Sequence, residues 1–307
     1  MSEADAILRG ERGALARGLS IVEGGGARAV ELLDAISARV GRARRIGVTG
    51  PPGVGKSTLV AALVRRFRAR GARVGVVAVD PSSPFHGGAL LGDRHRMSEE
   101  ARDEGVFVRS LATRGGLGGL SRAAPDALDL LDAAGFPVLL VETVGVGQTE
   151  VEVAATADSV AVVLSPESGD AVQAMKAGLL EIADVVCVNK SDREGAEALA
   201  AELESALDAA PPRGWRPPVV LTRALDGAEP LDDALERHAA WLGEEGRLGD
   251  RRRRGVRARI ERLVARLVAD RMLASAPGVL DREADDVCAG RRSVLHGASR
   301  AAEAILR

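Results

Sequence analysis

A short glycine-rich segment limits what this chain can fold into more than any other feature. Residues 50–58 read GPPGVGKST, follow an apolar run directly and open a helical pattern. The spacing G-x-x-x-x-G-K-[ST] at a strand-to-helix turn predicts a loop that binds phosphate groups. Gly50, Gly53 and Gly55 allow the backbone to curl so that successive N–H groups point at phosphate oxygens. The helix that follows adds its positive N-terminal end.

Two side chains of this loop have expected chemical roles. Lys56 is expected to bridge the β- and γ-phosphates of a nucleotide, where it acts in catalysis, and the Ser57 hydroxyl is expected to bind Mg²⁺. The alternative is an ordinary glycine-rich turn, but a full match is improbable by chance in a chain with so few lysines. The predicted nucleotide-binding loop consists of Gly50, Pro51, Pro52, Gly53, Val54, Gly55, Lys56, Ser57 and Thr58.

Seven apolar runs alternate with helical patterns and predict the fold class. The runs are continuous rather than alternating, which suits strands buried on both faces of a parallel sheet. The sequence therefore predicts an α/β protein with a mostly parallel, doubly wound sheet and a ligand at the carboxyl ends of its strands. The predicted strands lie at 46–50, 74–80, 106–111, 137–143, 159–165, 185–189 and 218–222, and the helices between them at 57–70, 121–134, 171–183, 194–209 and 230–245.

Helical patterns also occupy both ends of the chain. We expect an N-terminal helical extension at 1–44, a nucleotide-binding domain at 45–245 and a C-terminal helical region at 246–307. Within the last region, four consecutive arginines at 251–254 are interpreted as a solvated helix face, with a docking patch for an acidic partner as the alternative.

The segment VNKSD at 188–192 indicates which base is bound. Asp192 follows a predicted strand and can accept hydrogen bonds from the N1–H and amino groups of guanine, a donor pair that adenine lacks. Asn189 is expected to brace the loop and read the base edge, and the stem of Lys190 to stack along the ring. An ordinary loop after a buried strand is the alternative interpretation.

Acidic and amide side chains follow two further predicted strands. Asp80 and Asp93, within the loop-like segment 79–97, are expected to hold Mg²⁺ or its waters, although an ordinary surface loop would also contain turn-forming aspartates. Glu142, at the end of the fourth run, is expected to act on the metal directly or through water. Gln148 is a candidate to position the attacking water, with contact to a nucleotide-sensing loop as the alternative.

The distribution of rare residues supports these assignments. Of 42 basic residues only three are lysine, because this chain uses arginine almost everywhere, and an arginine fork cannot replace a compact ammonium at a tight site. The segment 165–184 holds two of the rare residues and is either a third mobile loop, with Lys176 in a catalytic role, or an N-capped surface helix. The rare residues are Lys56, Lys176, Lys190, Asn189, Gln148 and Gln173.

Composition excludes several classes of function. A net charge of −2 and a pI of about 6.2 give no bulk attraction to nucleic acid or to an anionic membrane, so neither is expected as a partner. The polar, acidic start predicts no signal peptide, and Cys187 and Cys288 lack metal or redox spacing, so we expect a cytoplasmic location. The four histidines are scattered and are interpreted as surface or loop residues rather than metal ligands: His86, His95, His238 and His296.

The motifs together resemble one known family. GVTGPPGVGKST, VDPSSPFHGGALLGDRHRM, RGGLGGLS, ETVGVGQTE and VNKSD, in this order, resemble the MeaB/ArgK family of methylmalonyl-CoA mutase-associated GTPases over about residues 5–245. The resemblance implies a P-loop NTPase G domain that binds GTP or GDP with Mg²⁺ and forms a homodimer. It also implies an adenosylcobalamin-dependent acyl-CoA mutase as partner, whose cofactor loading and protection are coupled to GTP hydrolysis. The third switch loop of the family maps to residues 165–177.

This chain departs from the family pattern at identifiable positions. By resemblance, Arg223, Ala224 and Leu225 belong to the base-binding set, with the Ala224 N–H expected to meet the guanine carbonyl, but the family commonly has serine where Arg223 stands. The third switch begins PESGD rather than P-G-x-G-D, so Glu167 replaces a glycine. Two other activities remain open: a kinase that passes the γ-phosphate to an acceptor, and a nucleotide-gated scaffold with negligible hydrolysis.

Overall fold

The computed structural model describes residues 2–80, 100–112, 123–143, 155–168, 178–211, 214–275 and 278–306. The chain divides into two compact units, Met1–Arg252 and Arg253–Arg307. The first unit contains a seven-stranded sheet, and the second is helical.

All seven predicted apolar runs form strands of one parallel sheet, which confirms the predicted fold class. The spatial order is β3-β2-β4-β1-β5-β6-β7, and every neighbouring pair is parallel. The strands are β1 (Arg44–Thr49), β2 (Val74–Asp80), β3 (Val106–Ala112), β4 (Val138–Thr143), β5 (Ser159–Leu164), β6 (Val185–Val188) and β7 (Val219–Leu221).

Helices connect the strands and extend both ends of the described chain. The helices at the N-terminus are α1 (Glu3–Leu8), α2 (Arg12–Gly24) and α3 (Ala27–Ile36). Those between strands are α4 (Lys56–Ala69), α5 (Ala124–Ala133), α6 (Leu179–Ile182) and α7 (Ala196–Ala209). After the sheet come α8 (Glu229–Gly243), α9 (Arg247–Ser275), α10 (Val279–Cys288) and α11 (Val294–Leu306).

Burial on both faces explains why the strands read as continuous apolar runs. Every residue of β4 and β5 is buried. One face of the sheet packs against α4 and α8, and the opposite face packs against α5 together with α1–α3. Ile7, Leu15 and Leu19 are fully buried in that second layer, so the N-terminal helices share a core with the sheet.

The strand order places a switch in winding direction beside β1. From β1 the chain crosses to β2 and β3 on one side, returns through β4 directly beside β1, and then continues to β5 on the other side. A crevice outside the carboxyl ends of the strands at such a point is where open α/β sheets bind ligands. The segment after β1 is the glycine-rich loop.

The arginine run at 251–254 is only partly a solvated helix face. The guanidinium of Arg251 binds both carboxylate oxygens of Asp184 at 2.9 and 2.6 Å. Arg252 binds both oxygens of Asp158 at 2.8 and 2.7 Å and donates to the carbonyls of Gly41 and Ala43. Asp158 and Asp184 are buried at the amino ends of β5 and β6, so their bonds to Arg251 and Arg252 hold the first turns of α9 against the sheet. The next two arginines of the run are exposed.

One histidine was also interpreted wrongly from the sequence. His238 on α8 is fully buried, and its Nδ1 lies 2.8 Å from the Ser159 hydroxyl. Its ring stacks on Trp241 at 5.6 Å between centroids and contacts Trp215 at 4.9 Å. Trp215 lies in a separate segment before β7, so local sequence alone does not decide the burial of His238.

In the second unit, ion pairs join α10 to the segment that follows it and to α11. Glu283 on α10 pairs with Arg292 at 2.7 Å and with Arg300 on α11 at 3.4 Å.

Across the helices that the structure describes, we find none combining the length and the apolar character needed to cross a bilayer.

Candidate nucleotide-binding site

The loop after β1 requires glycine at two positions, and the same two reasons apply to each: the backbone conformation and the lack of space for a Cβ atom. Gly50 has φ = +135°, and a Cβ there would overlap the carbonyl oxygen of Val163 on β5. Gly55 has φ = +95°, and a Cβ there would overlap the Asn189 side-chain amide. Both glycines therefore allow a backbone curl and a close approach to neighbouring strands. The sequence predicted the curl but not the close approach.

Lys56 begins α4, and its ammonium lies inside the curl of the loop. Nζ donates to the carbonyl oxygens of Gly50 and Pro51, both at 2.7 Å, and the residue is buried. A compact ammonium with three donors fits such a space, whereas the planar guanidinium of arginine is wider. This geometry explains why one of the rare lysines stands here.

Ser57 and Glu142, two of the predicted metal-binding residues, are brought together by the fold. The Ser57 hydroxyl donates to Glu142 Oε1 at 2.6 Å, and both side chains are buried. Pairing of β1 with β4 sets Glu142 directly beside Val48, two residues before the loop. A hydroxyl and a carboxylate are the hard oxygen ligands that Mg²⁺ prefers, so this pair fits the ion chemically.

The pair does not form a closed metal cage. Among the residues that the structure describes, no group of three or more His, Cys, Asp or Glu side chains could hold a metal ion. Mg²⁺ usually keeps several waters and takes one or two protein ligands together with substrate phosphates. Two oxygen donors beside a phosphate-binding loop are therefore sufficient for such a site.

Four other predicted residues are only partly placed or not placed. Asp80 ends β2 at the carboxyl edge of the sheet, one residue beyond the pairing of Val79 with Thr143. The side chain of Asp80 lies outside the described part of the chain, as do Asp93, Gln148 and Lys176 entirely. Their roles stay predictions.

Asn189 connects three segments that are far apart in the sequence. Its Nδ2 donates to the Val54 carbonyl at 2.8 Å, and its Oδ1 accepts from the Ala224 N–H at 3.0 Å and the Thr222 hydroxyl at 3.3 Å. The residue is buried. These bonds are consistent with the expected bracing of the loop by Asn189, which stays a prediction, as does its reading of the base edge.

The same bonds bear on the expected role of Ala224. Its N–H, which the family resemblance assigned to the guanine carbonyl, donates to Asn189 in this structure. A contact with guanine therefore requires this bond to be shared or released. Leu225 beside it is exposed.

Charged residues surround the loop after β6. Lys190 has a left-handed backbone, with φ = +57°, and its Nζ lies 2.7 Å from Glu167. Arg223 Nε lies 3.7 Å from Asp192 Oδ1, and Arg223 Nη1 lies 3.0 Å from Asp226. The structure thus places the predicted base-binding residues Lys190, Asp192 and Arg223 around one exposed surface at the carboxyl end of the sheet.

Comparison with known proteins identifies the family. The family model for the methylmalonyl Co-A mutase-associated GTPase MeaB matches residues 15–277. The chain belongs to the MeaB family. This confirms the resemblance that the sequence motifs indicated.

Relatives and a solved structure agree with this assignment. A Pyrococcus abyssi protein named as a GTPase is 48% identical over 273 residues, which cover 87% of this chain and 84% of that protein. The Escherichia coli GTPase ArgK is 40% identical over 253 residues, covering 79% and 76%. The crystal structure of an LAO/AO transport system kinase matches with a TM-score of 0.78 at 29% identity, covering 99% of this chain and 97% of that one.

These findings establish the activity class of the MeaB-family chain. It is a GTPase with the P-loop fold, as predicted from the glycine-rich loop and the N-K-x-D segment. Sequence reasoning assigned no role to two residues that contact the predicted site, Thr222 and Glu167. Glu167 had a detectable signal, because an acidic residue replaces a glycine of the family pattern there, whereas Thr222 had none.

Proposed function

We propose that this GTPase uses Mg²⁺-bound GTP to serve an adenosylcobalamin-dependent acyl-CoA mutase of the methylmalonyl-CoA mutase type. In this role, GTP binding and hydrolysis gate the loading of the cofactor onto the mutase and protect the loaded enzyme. The observation that carries the proposal is the match to the mutase-associated family over residues 15–277. The geometry of the site supports the part of the proposal that concerns the binding of GTP and Mg²⁺.

The proposed division of labour follows from the contacts. Backbone N–H groups of residues 50–56 and the ammonium of Lys56 bind the phosphates, and the N-terminus of α4 adds positive potential. Ser57 and Glu142, 2.6 Å apart, hold Mg²⁺ directly or through water. The ion, when bound, neutralises charge that develops on the phosphates. Asp192 selects guanine, and Asn189 keeps the phosphate loop and the base loop in register.

Hydrolysis by the chain alone is expected to be slow. The sequence motifs contain no evident arginine finger or dedicated base, and the contacts of Arg251 and Arg252 lie at the amino ends of β5 and β6. A partner that completes the site is the expected source of acceleration, as in other GTPases. Gln148 and Lys176 are the residues of this chain proposed to respond to that partner.

We also propose that the protein works as a homodimer through α9. This helix has exposed apolar side chains at spacings of three and four residues, which places them on one side. Exposed apolar stripes of this length mark interaction surfaces in soluble proteins. The residues are Val256, Ile260, Leu263, Val264 and Leu267.

The similar solved structure is named as a transport system kinase, which favours one alternative. A kinase would transfer the γ-phosphate to a protein or small-molecule acceptor rather than to water. A single experiment separates the two activities and the scaffold alternative. Single-turnover reactions with γ-labelled GTP and Mg²⁺, with and without a cobalamin-dependent mutase, are followed for both free phosphate and labelled acceptor.

Release of free phosphate that accelerates when the mutase is added supports the proposal. A labelled acceptor would support the kinase, and absence of turnover in both conditions would support the scaffold. Lys56→Ala is expected to abolish nucleotide binding and provides the background.

Base selection is tested by Asp192→Asn. Loss of a charged acceptor for two guanine donors is expected to weaken GTP binding about 10- to 100-fold and to shift preference toward XTP. Asp226→Asn is the matched control, because it removes the same charge next to Arg223. Unchanged GTP affinity in Asp192→Asn, or an equal loss in the control, would contradict the role of Asp192.

A further inference from the structure

The turn that follows β5 lies along the loop that follows β6. The Asn189 N–H donates to the Leu164 carbonyl at 2.8 Å, which continues the pairing of the two strands. The next residues form a tight turn, Pro166–Ser168. A Cβ on Gly195 would lie 3.9 Å from Pro166 Cβ, so the turn also reaches the far end of the base loop.

Glu167, in the middle of this turn, is bound by two cations of the base loop. Its Oε2 accepts from Lys190 Nζ at 2.7 Å, and its Oε1 lies 3.3 Å from Arg193 Nε. The hydrogen bond from Lys190 lowers the pKa of the Glu167 carboxyl below its ordinary value, which favours the carboxylate form of Glu167. All three side chains are partly exposed, which keeps the interaction modest.

Lys190 needs an anchor if its stem is to lie along a base. Its left-handed backbone, with φ = +57°, sets the direction in which the side chain leaves the loop. The four-carbon stem is flexible, and fixing it when the nucleotide arrives would cost side-chain entropy. An anion that already holds the ammonium in the free protein reduces the side-chain entropy that is lost when the nucleotide binds.

We propose that Glu167 is a positioning residue for guanine binding, which acts by holding Lys190 in place. The proposal rests on the proposed function, in which the loop 189–192 receives the base. The chain has this acidic residue where the family pattern has glycine, so the arrangement is a feature of this chain rather than of the family motif. Within the described part of the chain, Glu167 pairs with Lys190 and Arg193 and has no recorded bond to the phosphate loop, so its effect is expected on the base side.

A double-mutant cycle on the full-length protein tests the proposal. The variants are Glu167→Ala, Lys190→Ala and both together, with Kd measured by calorimetry for GDP and for pyrophosphate, each with Mg²⁺. We expect Glu167→Ala to raise the Kd for GDP roughly two- to fivefold, the range of an exposed ion pair, and to leave the Kd for pyrophosphate unchanged. The double variant should bind GDP no more weakly than Lys190→Ala alone, because Glu167 acts through Lys190.

Two controls isolate the charge. Glu194→Ala removes another exposed carboxylate of the same loop and is expected to leave GDP affinity unchanged. Glu167→Gln keeps the shape and removes the charge, so it should reproduce the loss, and its ratio to the parent Kd should approach one at about 1 M salt.

Three results would overturn the proposal: an unchanged Kd for GDP in Glu167→Ala, an equal loss for GDP and pyrophosphate, or additive effects in the cycle. Failure of guanine recognition, the part of the proposed function on which this proposal rests, is distinguishable from these results. It would be seen as unchanged GTP affinity and base preference in Asp192→Asn. If that variant shifts base preference while Glu167→Ala has no effect, guanine recognition stands and the role of Glu167 falls.

Discussion

Asn189 joins the two halves of the candidate site. It is buried, and its amide satisfies the Val54 carbonyl in the phosphate loop and the Ala224 N–H in the loop after β7. Asn189→Ala leaves both backbone groups without these bonds, so we expect a loss of about 2–4 kcal/mol in the free energy of unfolding and a weaker affinity for GDP. Urea unfolding and calorimetric titration with GDP measure the two effects.

Thr222→Val is the matched control for this prediction. It removes a weaker bond to the same Asn189 oxygen, at 3.3 Å, and leaves the amide in place. Its expected cost is below about 1.5 kcal/mol. Equal losses in the two variants would mean that Asn189 does not brace the loops.

His238 gives the protein a stability that depends on pH. Burial lowers the pKa of His238 from 6.5 to about 4, and the neighbouring Asp184, at 3.4 Å, opposes this only in part. The unfolded chain takes up a proton near pH 6.5, whereas the folded chain does so only near pH 4. Each step down in pH across this window therefore favours unfolding, and we expect a loss of about 2 kcal/mol between pH 7 and pH 5.

Comparison with His238→Gln isolates this contribution. Glutamine can bond the Ser159 hydroxyl but does not titrate, so the variant should lose about 2 kcal/mol less than the parent between the same two pH values. Urea unfolding of both proteins at pH 7 and pH 5 gives the difference. Parallel losses in the two proteins would assign the pH dependence to other groups.

At the scale of elements, the strands were the part of the fold that sequence predicted best. All seven runs form strands, and in central strands such as β4 and β5 burial on both faces leaves a continuous apolar signal in the sequence. The order of the strands carries no such signal. The insertion of β4 between β2 and β1 depends on packing between distant segments, and so does the contact of Asn189 with Val54.

The predictions for individual side chains divided in the same way, since local signals could be read from the sequence and distant contacts could not. Lys56, Ser57 and Glu142 were predicted together because a strand end or a local motif marks each of them. Arg251 and Arg252 could not be predicted as anchors, because their partners Asp184 and Asp158 lie many residues away and the run looks like any charged helix face. The local sequence pattern indicates the chemistry that a residue can perform, whereas the residues that it contacts are known only from the fold.

The anchoring of α9 can be tested with two arginines of one run. Arg252→Met keeps the apolar stem and removes the guanidinium that binds buried Asp158, so we expect the first unit to lose about 2 kcal/mol of stability. The estimate is below that for a fully buried pair because Arg252 retains some exposure. Arg254→Met, two residues further in the same helix, is exposed and should cost less than about 0.5 kcal/mol. Similar thermal unfolding midpoints for the two variants would show that α9 is not fastened at Asp158.

At the scale of the whole molecule, the nucleotide site and the apolar stripe of α9 belong to different compact units. Lys56, Ser57 and Asn189 all lie within Met1–Arg252, whereas the stripe begins at Val256, within Arg253–Arg307. Assembly and basal hydrolysis are therefore expected to respond to different substitutions.

A double substitution in the stripe tests this separation. Ile260→Glu with Leu267→Glu places two charges on the exposed apolar side of α9, and burying them in a helix–helix interface would be unfavourable. The parent protein is expected to sediment at twice 31.9 kDa, and the variant at 31.9 kDa with its basal GTPase rate retained. Ala269→Glu adds the same charge to the opposite side of the helix and should remain dimeric. Sedimentation of the parent as a monomer at tens of micromolar, or of the stripe variant as a dimer, would show that this face does not join two copies of the chain.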